Sequence, residues 1–219
     1  MIKGVIFDMD GLMFDTERVW ATLWAPALKQ FGMDTVPEGL DEAARGAAGE
    51  NLRAVIRRYC GENIDAQAVY ELLVKLGNEA FRSGVEKKPG LDALLAWLSA
   101  QGVPMAVASS SPEQTIRRNL ETSGTAKYFP VVVAGNHIRN SKPDPEIFLL
   151  AAQKIGVAPG ECLVLEDSYN GVRAGHAGGF ITVMVPDILP PDDEMRRTYT
   201  ACCASLDEVL ELLKAGRLG

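Results

Sequence analysis

The residues best suited to chemistry lie almost at the start of this chain. Asp8, Asp10 and Asp15 fall within the nine residues Phe7-Asp8-Met9-Asp10-Gly11-Leu12-Met13-Phe14-Asp15, directly after the apolar run Gly4-Val5-Ile6-Phe7. Like charges a few ångströms apart repel, and burying an unpaired carboxylate is costly. The cluster makes sense if a cation belongs there, or if one carboxylate is meant to react. Three further groups follow strand-like runs or lie in loops that could face the same edge. They are Ser109-Ser110-Ser111 after Val107-Ala108, Lys142 within Asn140-Ser141-Lys142-Pro143-Asp144-Pro145, and Glu166-Asp167-Ser168 after Leu163-Val164-Leu165. Together they supply carboxylates for a hard cation, a hydroxyl and backbone N–H groups for an anion, and one positive point charge. That set suits a Mg²⁺-assisted reaction at a phosphate.

Taken singly, each group has a plainer explanation. Asp8 or Asp10 alone would cap a turn or a helix. Ser111-Pro112-Glu113 reads as a helix N-cap with Pro at the first helical position, so Ser111 is assigned to that role and Ser109 to chemistry. A lone lysine is usually solvated, and Glu-Asp-Ser is an ordinary acidic helix start. Their joint occurrence, in this order and at strand ends, favours a site.

The elements that must position these residues are legible from periodicity. Val5–Phe7, Met105–Ala108, Val131–Val133, Cys162–Leu165 and Ile181–Val185 are short uninterrupted apolar runs, which fit strands covered on both faces. Apolar residues spaced by three and four predict helices through Leu91, Leu94, Leu95 and Leu98, through Ile147, Phe148, Ala151 and Ile155, and through Leu206, Val209, Leu210 and Leu213. Strand–helix alternation implies an α/β fold with a doubly wound parallel sheet, whose ligands bind at the carboxyl ends of strands. The stretch 16–87 breaks the rhythm. It carries three helical stripes (Val19 to Phe31, Leu52 to Tyr59, Val69 to Ala80) and no strand. This predicts a catalytic core over 1–15 and 88–219 with an inserted helical cap over 16–87, returning through the hinge segment 83–90.

The chain has 219 residues, 47% hydrophobic and 23% charged, with a net charge of −7. This composition is that of a globular protein, and the acidic balance argues against generic nucleic-acid binding. Cys60, Cys162, Cys202 and Cys203 lack metal-site spacing and are expected to be reduced, with Cys202-Cys203 buried in a last strand. No apolar run reaches the length of a membrane span, and no leader is read, so a cytoplasmic location is expected. His137, in a loop near Lys142, and His176 are assigned hydrogen-bonding or structural roles.

The four groups identify a resemblance. Asp8-Met9-Asp10-Gly11 resembles the first motif of the haloacid dehalogenase superfamily of phosphohydrolases, in the branch with a helical cap after the first strand. Ser109, Lys142 in Ser141-Lys142-Pro143-Asp144-Pro145 and Glu166-Asp167-Ser168 are similar to its second, third and fourth motifs, so the likeness covers nearly the whole chain. The resemblance implies a Rossmann-like core and these roles. Asp8 is the nucleophile, forming an aspartyl-phosphate. Asp10 is the general acid and base. Ser109, Ser110 and Lys142 bind the phosphoryl group, and Mg²⁺ is held by Asp8, the Asp10 main-chain carbonyl, Glu166 and Asp167. Asp15 braces the loop and hinge. The expected partner is a small phosphorylated metabolite, with no nucleic acid or membrane, and the expected state is a monomer.

Within that family, β-phosphoglucomutases and sugar-phosphate phosphatases share the four motifs. The mutase pattern has a histidine where this chain has Trp20. It also has an arginine, three residues after a cap glycine, where counting from Gly46 gives Gly49. The expectation is therefore a phosphatase of a sugar or polyol phosphate, with β-phosphoglucomutase as the alternative. Trp20 is read as core packing, and Arg45 and Arg82 as possible second-phosphate ligands. Glu17, Arg45, Asn51, Arg82 and Lys87 are polar candidates for the cleft. A haloalkanoic dehalogenase fits less well, because Asp10 is present. A non-enzymatic binding module fits less well because the reactive set is intact.

Overall fold

The computed structural model describes residues 2–45, 47, 49–82 and 84–218, so Gly46 and Ser83, used above to place the cap glycine and the hinge, lie outside the described residues. Six strands form one sheet: β1 (Gly4–Phe7), β2 (Met105–Ser109), β3 (Val131–Ala134), β4 (Cys162–Glu166), β5 (Ile181–Met184) and β6 (Ala201–Cys202). Their order is β3-β2-β1-β4-β5-β6, and every pairing is parallel. Phe7 stands beside Val107 of β2 and Leu165 of β4, so the ends of the three central strands are level. The order reverses at β1, and the crevice above that point is where such sheets hold ligands.

Ten helices are described: α1 (Glu17–Lys29), α2 (Leu40–Ala44), α3 (Gly49–Cys60), α4 (Ala66–Ala80), α5 (Leu91–Ala100), α6 (Glu113–Thr122), α7 (Glu146–Ile155), α8 (Tyr169–Ala177), α9 (Met195–Thr198) and α10 (Leu206–Lys214). The period-two alternation of strands divides the core in two. Val5, Phe7, Val107, Leu163 and Leu165 pack with α5, α6 and α10 on one face. Ile6, Ala106, Ala108 and Val164 pack with α7 and α8 on the other. The sheet is thus covered on both sides, which is why its strands read as unbroken apolar runs.

The helices between β1 and α5 bury an apolar cluster of their own: Trp24, Ala27, Leu28, Leu40, Ile56, Ala66, Val69 and Leu73. Two chain segments connect this layer to the sheet, and they run side by side. Phe14 bridges Lys87, the Asp15 N–H donates to the Glu86 carbonyl (2.9 Å), and the Lys88 N–H donates to that of Met13 (2.9 Å). Asp15 braces this crossing, as expected: the Lys88 ammonium lies 3.4 Å from its carboxylate and 2.6 Å from that of Asp187.

Two expectations are corrected. Cys203 is buried, but Cys202 is exposed, because β6 is a two-residue edge strand whose side chains alternate between core and solvent. The four cysteines are free thiols. Ser111 does not cap α6. Pro112 has an extended backbone and is itself the N-cap, so the helix starts at Glu113 with no side-chain cap.

Candidate active site

Three central strands, β1, β2 and β4, each deliver one group to the same edge. The Asp8 N–H donates to the Leu165 carbonyl (3.0 Å), extending the ladder by one residue and pinning the carboxylate at the end of β1. Ser109 closes β2 and Glu166 closes β4. Lys142 reaches in from the segment between β3 and α7. Its ammonium donates to Asp8 Oδ1 (2.5 Å), Glu166 Oε1 (2.6 Å) and the Ala108 carbonyl (3.4 Å), and it lies 4.8 Å from the centre of the Phe148 ring. An ammonium has three N–H donors, and here three acceptors fix its direction. Only 1% of Lys142 is exposed. The other Glu166 oxygen accepts from the Ser168 N–H (2.8 Å) and hydroxyl (2.9 Å), and the Ser168 hydroxyl also caps α8 by accepting from the Gly171 N–H.

Charge does not balance at this edge. Buried Asp8, Glu166 and Asp167 face the single ammonium of Lys142. Burial pushes the Asp8 carboxyl up to about 8; Lys142 opposes the shift, and the charges of Glu166 and Asp10 add to it. Burial also lifts Asp167 well above the usual carboxylate range, reinforced by Glu166, Asp8 and Glu17. Burial draws Lys142 down, but Asp8 and Glu166 outweigh it and the net shift is upward, so it stays charged.

A divalent cation fits this imbalance. Asp8, Glu166 and Asp167 present ligand oxygens within 4.8 Å of one another, a donor set suited to a hard ion. Glycines make room for these carboxylates. Gly11 has φ +81°, and a Cβ there would run into the Asp167 carboxylate. A Cβ at Gly171 would run into that of Glu166.

Asp10 stands apart from that cluster and is held from two sides. Its Oδ1 accepts from the Thr16 hydroxyl (2.7 Å) and the Trp20 indole N–H (3.4 Å). Its Oδ2 accepts from the hydroxyls of Ser111 (2.8 Å) and Ser109 (3.3 Å). Ser111, assigned to a helix cap from sequence, therefore belongs to the site. Thr16, fully buried, was not singled out from sequence; its spacing, one helical turn before Trp20, was the available signal.

A cavity opens above this edge. Asp8, Asp10, Ser109, Ser110, Ser111 and Asp167 form its floor, and Trp20, Trp24, Leu52, Tyr70, Leu73 and Val74 form the facing wall. Glu17 and Arg45 lie at its side. Burial pushes Glu17 up to about 8, with the Asp10 charge adding and Arg45 opposing. Arg45 is paired with Asp41 and lies 3.6 Å from Glu17. Among the other sequence candidates, the Asn51 amide donates to the Lys142 carbonyl (3.5 Å). Arg82 is exposed and Lys87 pairs with Asp92 (2.6 Å), so neither reaches the cavity. His137 is hydrogen-bonded to Glu113 (2.9 Å) and to the Ala134 N–H, as expected of a loop histidine.

The sequence profile of the haloacid dehalogenase-like hydrolases matches residues 5–185, a span that holds all four groups. The chain belongs to that family. This haloacid dehalogenase-like hydrolase is 33% identical over 186 residues to the fructose-1-phosphate phosphatase of Escherichia coli, covering 83% of this chain and 95% of that one. It is 29% identical over 218 residues to a phosphorylated carbohydrates phosphatase of Thermotoga maritima, covering 97% and 99%. Among solved structures, it resembles a putative β-phosphoglucomutase from Thermotoga maritima with a TM-score of 0.73 and 26% identity, over 98% and 99% of the two chains. No helix among this hydrolase's described residues is long and apolar enough to cross a membrane.

Proposed function

We propose that this hydrolase is a Mg²⁺-dependent phosphatase that cleaves a sugar or polyol phosphate through an aspartyl-phosphate on Asp8. That it is a phosphoric monoester hydrolase follows from the phosphatases that align along most of its length. The observation that carries the rest is the buried Asp8 carboxylate, clamped by Lys142 at 2.5 Å, with Asp167 and Glu166 close by and Asp10 across the same cavity.

In this reading, Asp8 attacks phosphorus and its oxygen–phosphorus bond forms as the ester oxygen–phosphorus bond breaks. Asp10 gives its proton to the departing alkoxide, then accepts one from the water that hydrolyses the aspartyl-phosphate. Ser109, Ser110 and Lys142 hold the phosphoryl oxygens. Mg²⁺, held by Asp8, the Asp10 carbonyl, Glu166 and Asp167, would supply the positive charge that lets a carboxylate meet a phosphate dianion. Residues 16–87 act as a cap over the core formed by 1–15 and 88–219, and their wall contacts the alcohol.

Arg45 separates this reading from the mutase reading. A mutase must grip a second phosphate, and Arg45 is the cation among the residues lining the cavity. Its guanidinium is already paired with Asp41 and has the Glu17 carboxyl 3.6 Å away on its other side. Gly49 offers no side chain. The test is a panel of phosphorylated metabolites with purified protein and Mg²⁺. Free phosphate release that disappears in Asp8→Asn is expected; full activity in that variant overturns the nucleophile. β-Glucose 1-phosphate converted to glucose 6-phosphate without phosphate release would establish the mutase.

A further inference from the structure

The sequence assigns Trp20 to core packing, yet its indole N–H is aimed at Asp10. Three observations bear on this. The N–H lies 3.4 Å from Asp10 Oδ1, the same oxygen that takes the Thr16 hydroxyl. The ring lies against Gly77 in the interior of α4, where a Cβ would run into the six-membered ring. It also meets Phe81 edge-on, with centroids 5.5 Å apart. A glycine inside a helix weakens that helix relative to alanine. At Gly77 the missing side chain is the seat of the indole.

We infer that Trp20, seated on Gly77, is a positioning residue for the acid–base group Asp10, an inference that rests on the phosphatase reading above. The argument is one of orientation. The indole N–H can only donate, and with the Thr16 hydroxyl it holds Oδ1 as an accepting oxygen. Oδ2 is held from the other side by the hydroxyls of Ser111 (2.8 Å) and Ser109 (3.3 Å). Fixed between these two sets of donors, the Asp10 carboxyl stays in place at the cavity to give its proton to the ester oxygen as the bond to phosphorus breaks. The donors to Oδ1 come from α1 and its N-cap, and those to Oδ2 from the end of β2 and the turn after it. Asp10 is thus oriented for proton transfer only while the helical layer lies over the sheet, and Trp20 links the two.

Leaving-group dependence tests this. An alkyl phosphate needs a proton on its departing oxygen, whereas p-nitrophenolate leaves without one. Trp20→Phe keeps a ring and deletes the donor. Losing one hydrogen bond to the acid–base group predicts kcat/KM about 10-fold lower for the best alkyl phosphate, with p-nitrophenyl phosphate within about twofold of wild type. Gly77→Ala, which displaces the ring, is expected to show the same selective loss. Equal losses on both esters would mean a wall residue only, and would overturn the positioning role. A second measurement does not depend on turnover. Of the three indole N–H signals in a ¹H–¹⁵N spectrum, that of Trp20 should move in Asp10→Ala while those of Trp24 and Trp97 stay; a stationary Trp20 signal overturns the contact. Wild-type protein inert on every ester, with the Trp20 signal shifting, would sink the phosphatase reading instead.

Discussion

Lys142 shows what a single residue contributes here. It is a fully buried ammonium between two buried carboxyl groups, Asp8 and Glu166, and its removal leaves both without their shared cation and without water. Breaking a buried ion pair by deleting one partner costs about 3–5 kcal/mol. Lys142→Met preserves most of the stem volume beside Phe148 and removes the charge. It should lower the unfolding free energy of metal-free protein by that amount in urea titrations and abolish phosphate release. Unchanged stability would mean that the clamp is not electrostatic. This lysine was legible in the sequence only jointly: alone it reads as solvated, and its place in order with the three strand-end groups, within Ser141-Lys142-Pro143-Asp144-Pro145, singled it out. Ser111 was not legible. A serine before proline and glutamate has the composition of an N-cap, and only the extended backbone of Pro112 turns its hydroxyl toward Asp10 instead. Trp20 was half legible: its place on an apolar stripe gave the packing, but a stripe says nothing of where an indole N–H points.

At the scale of elements, the central strands and the long amphipathic helices follow directly from apolar spacing, and the parallel pairing of the sheet follows from strand–helix alternation. Short pieces did not: α2 spans five residues, too few to show a period, and α6 exposes enough polar surface to hide one. The pairing at the hinge is a further case, since residues 13–15 and 86–88 belong to segments more than 70 residues apart. Its lock is the Lys88–Asp187 pair. The Asp187 side chain is 3% exposed, and one of its oxygens, Oδ2, has no hydrogen-bond partner. Deleting the ammonium strands that charge. Lys88→Ala should therefore cost about 3–5 kcal/mol, and the double variant Lys88→Ala/Asp187→Ala should recover a large part of it. Additive losses in the two single variants would show that the pair is not coupled and that the backbone bridge alone holds the crossing.

Over the whole molecule, the fold collects negative charge at one edge and leaves its neutralisation to protons or a metal. The sign of the consequence can be worked out. Asp8 and Glu17 start from ordinary values of 3.8 and 4.5 and are pushed up to about 8 by burial, and Asp167 moves in the same direction. A raised carboxyl binds its proton more tightly when folded. The folded state is therefore favoured below the ordinary value, and that advantage is lost as pH rises toward about 8. Carboxylates whose acidity is strengthened by exposed ion pairs, such as Glu50 and Glu194, titrate below their ordinary value of 4.5 and do not contribute in this window. Lys142 remains charged throughout. Metal-free protein should accordingly melt at progressively lower temperature between about pH 5 and pH 8. A cation that binds only the folded, ionised site opposes this loss, so the gain in melting temperature from millimolar Mg²⁺ should grow across the same window. Differential scanning calorimetry with and without Mg²⁺ reads both trends. A melting temperature that rises with pH in the absence of metal would mean that the carboxylates are stably ionised without a cation, and the electrostatic case for the metal would fall with it.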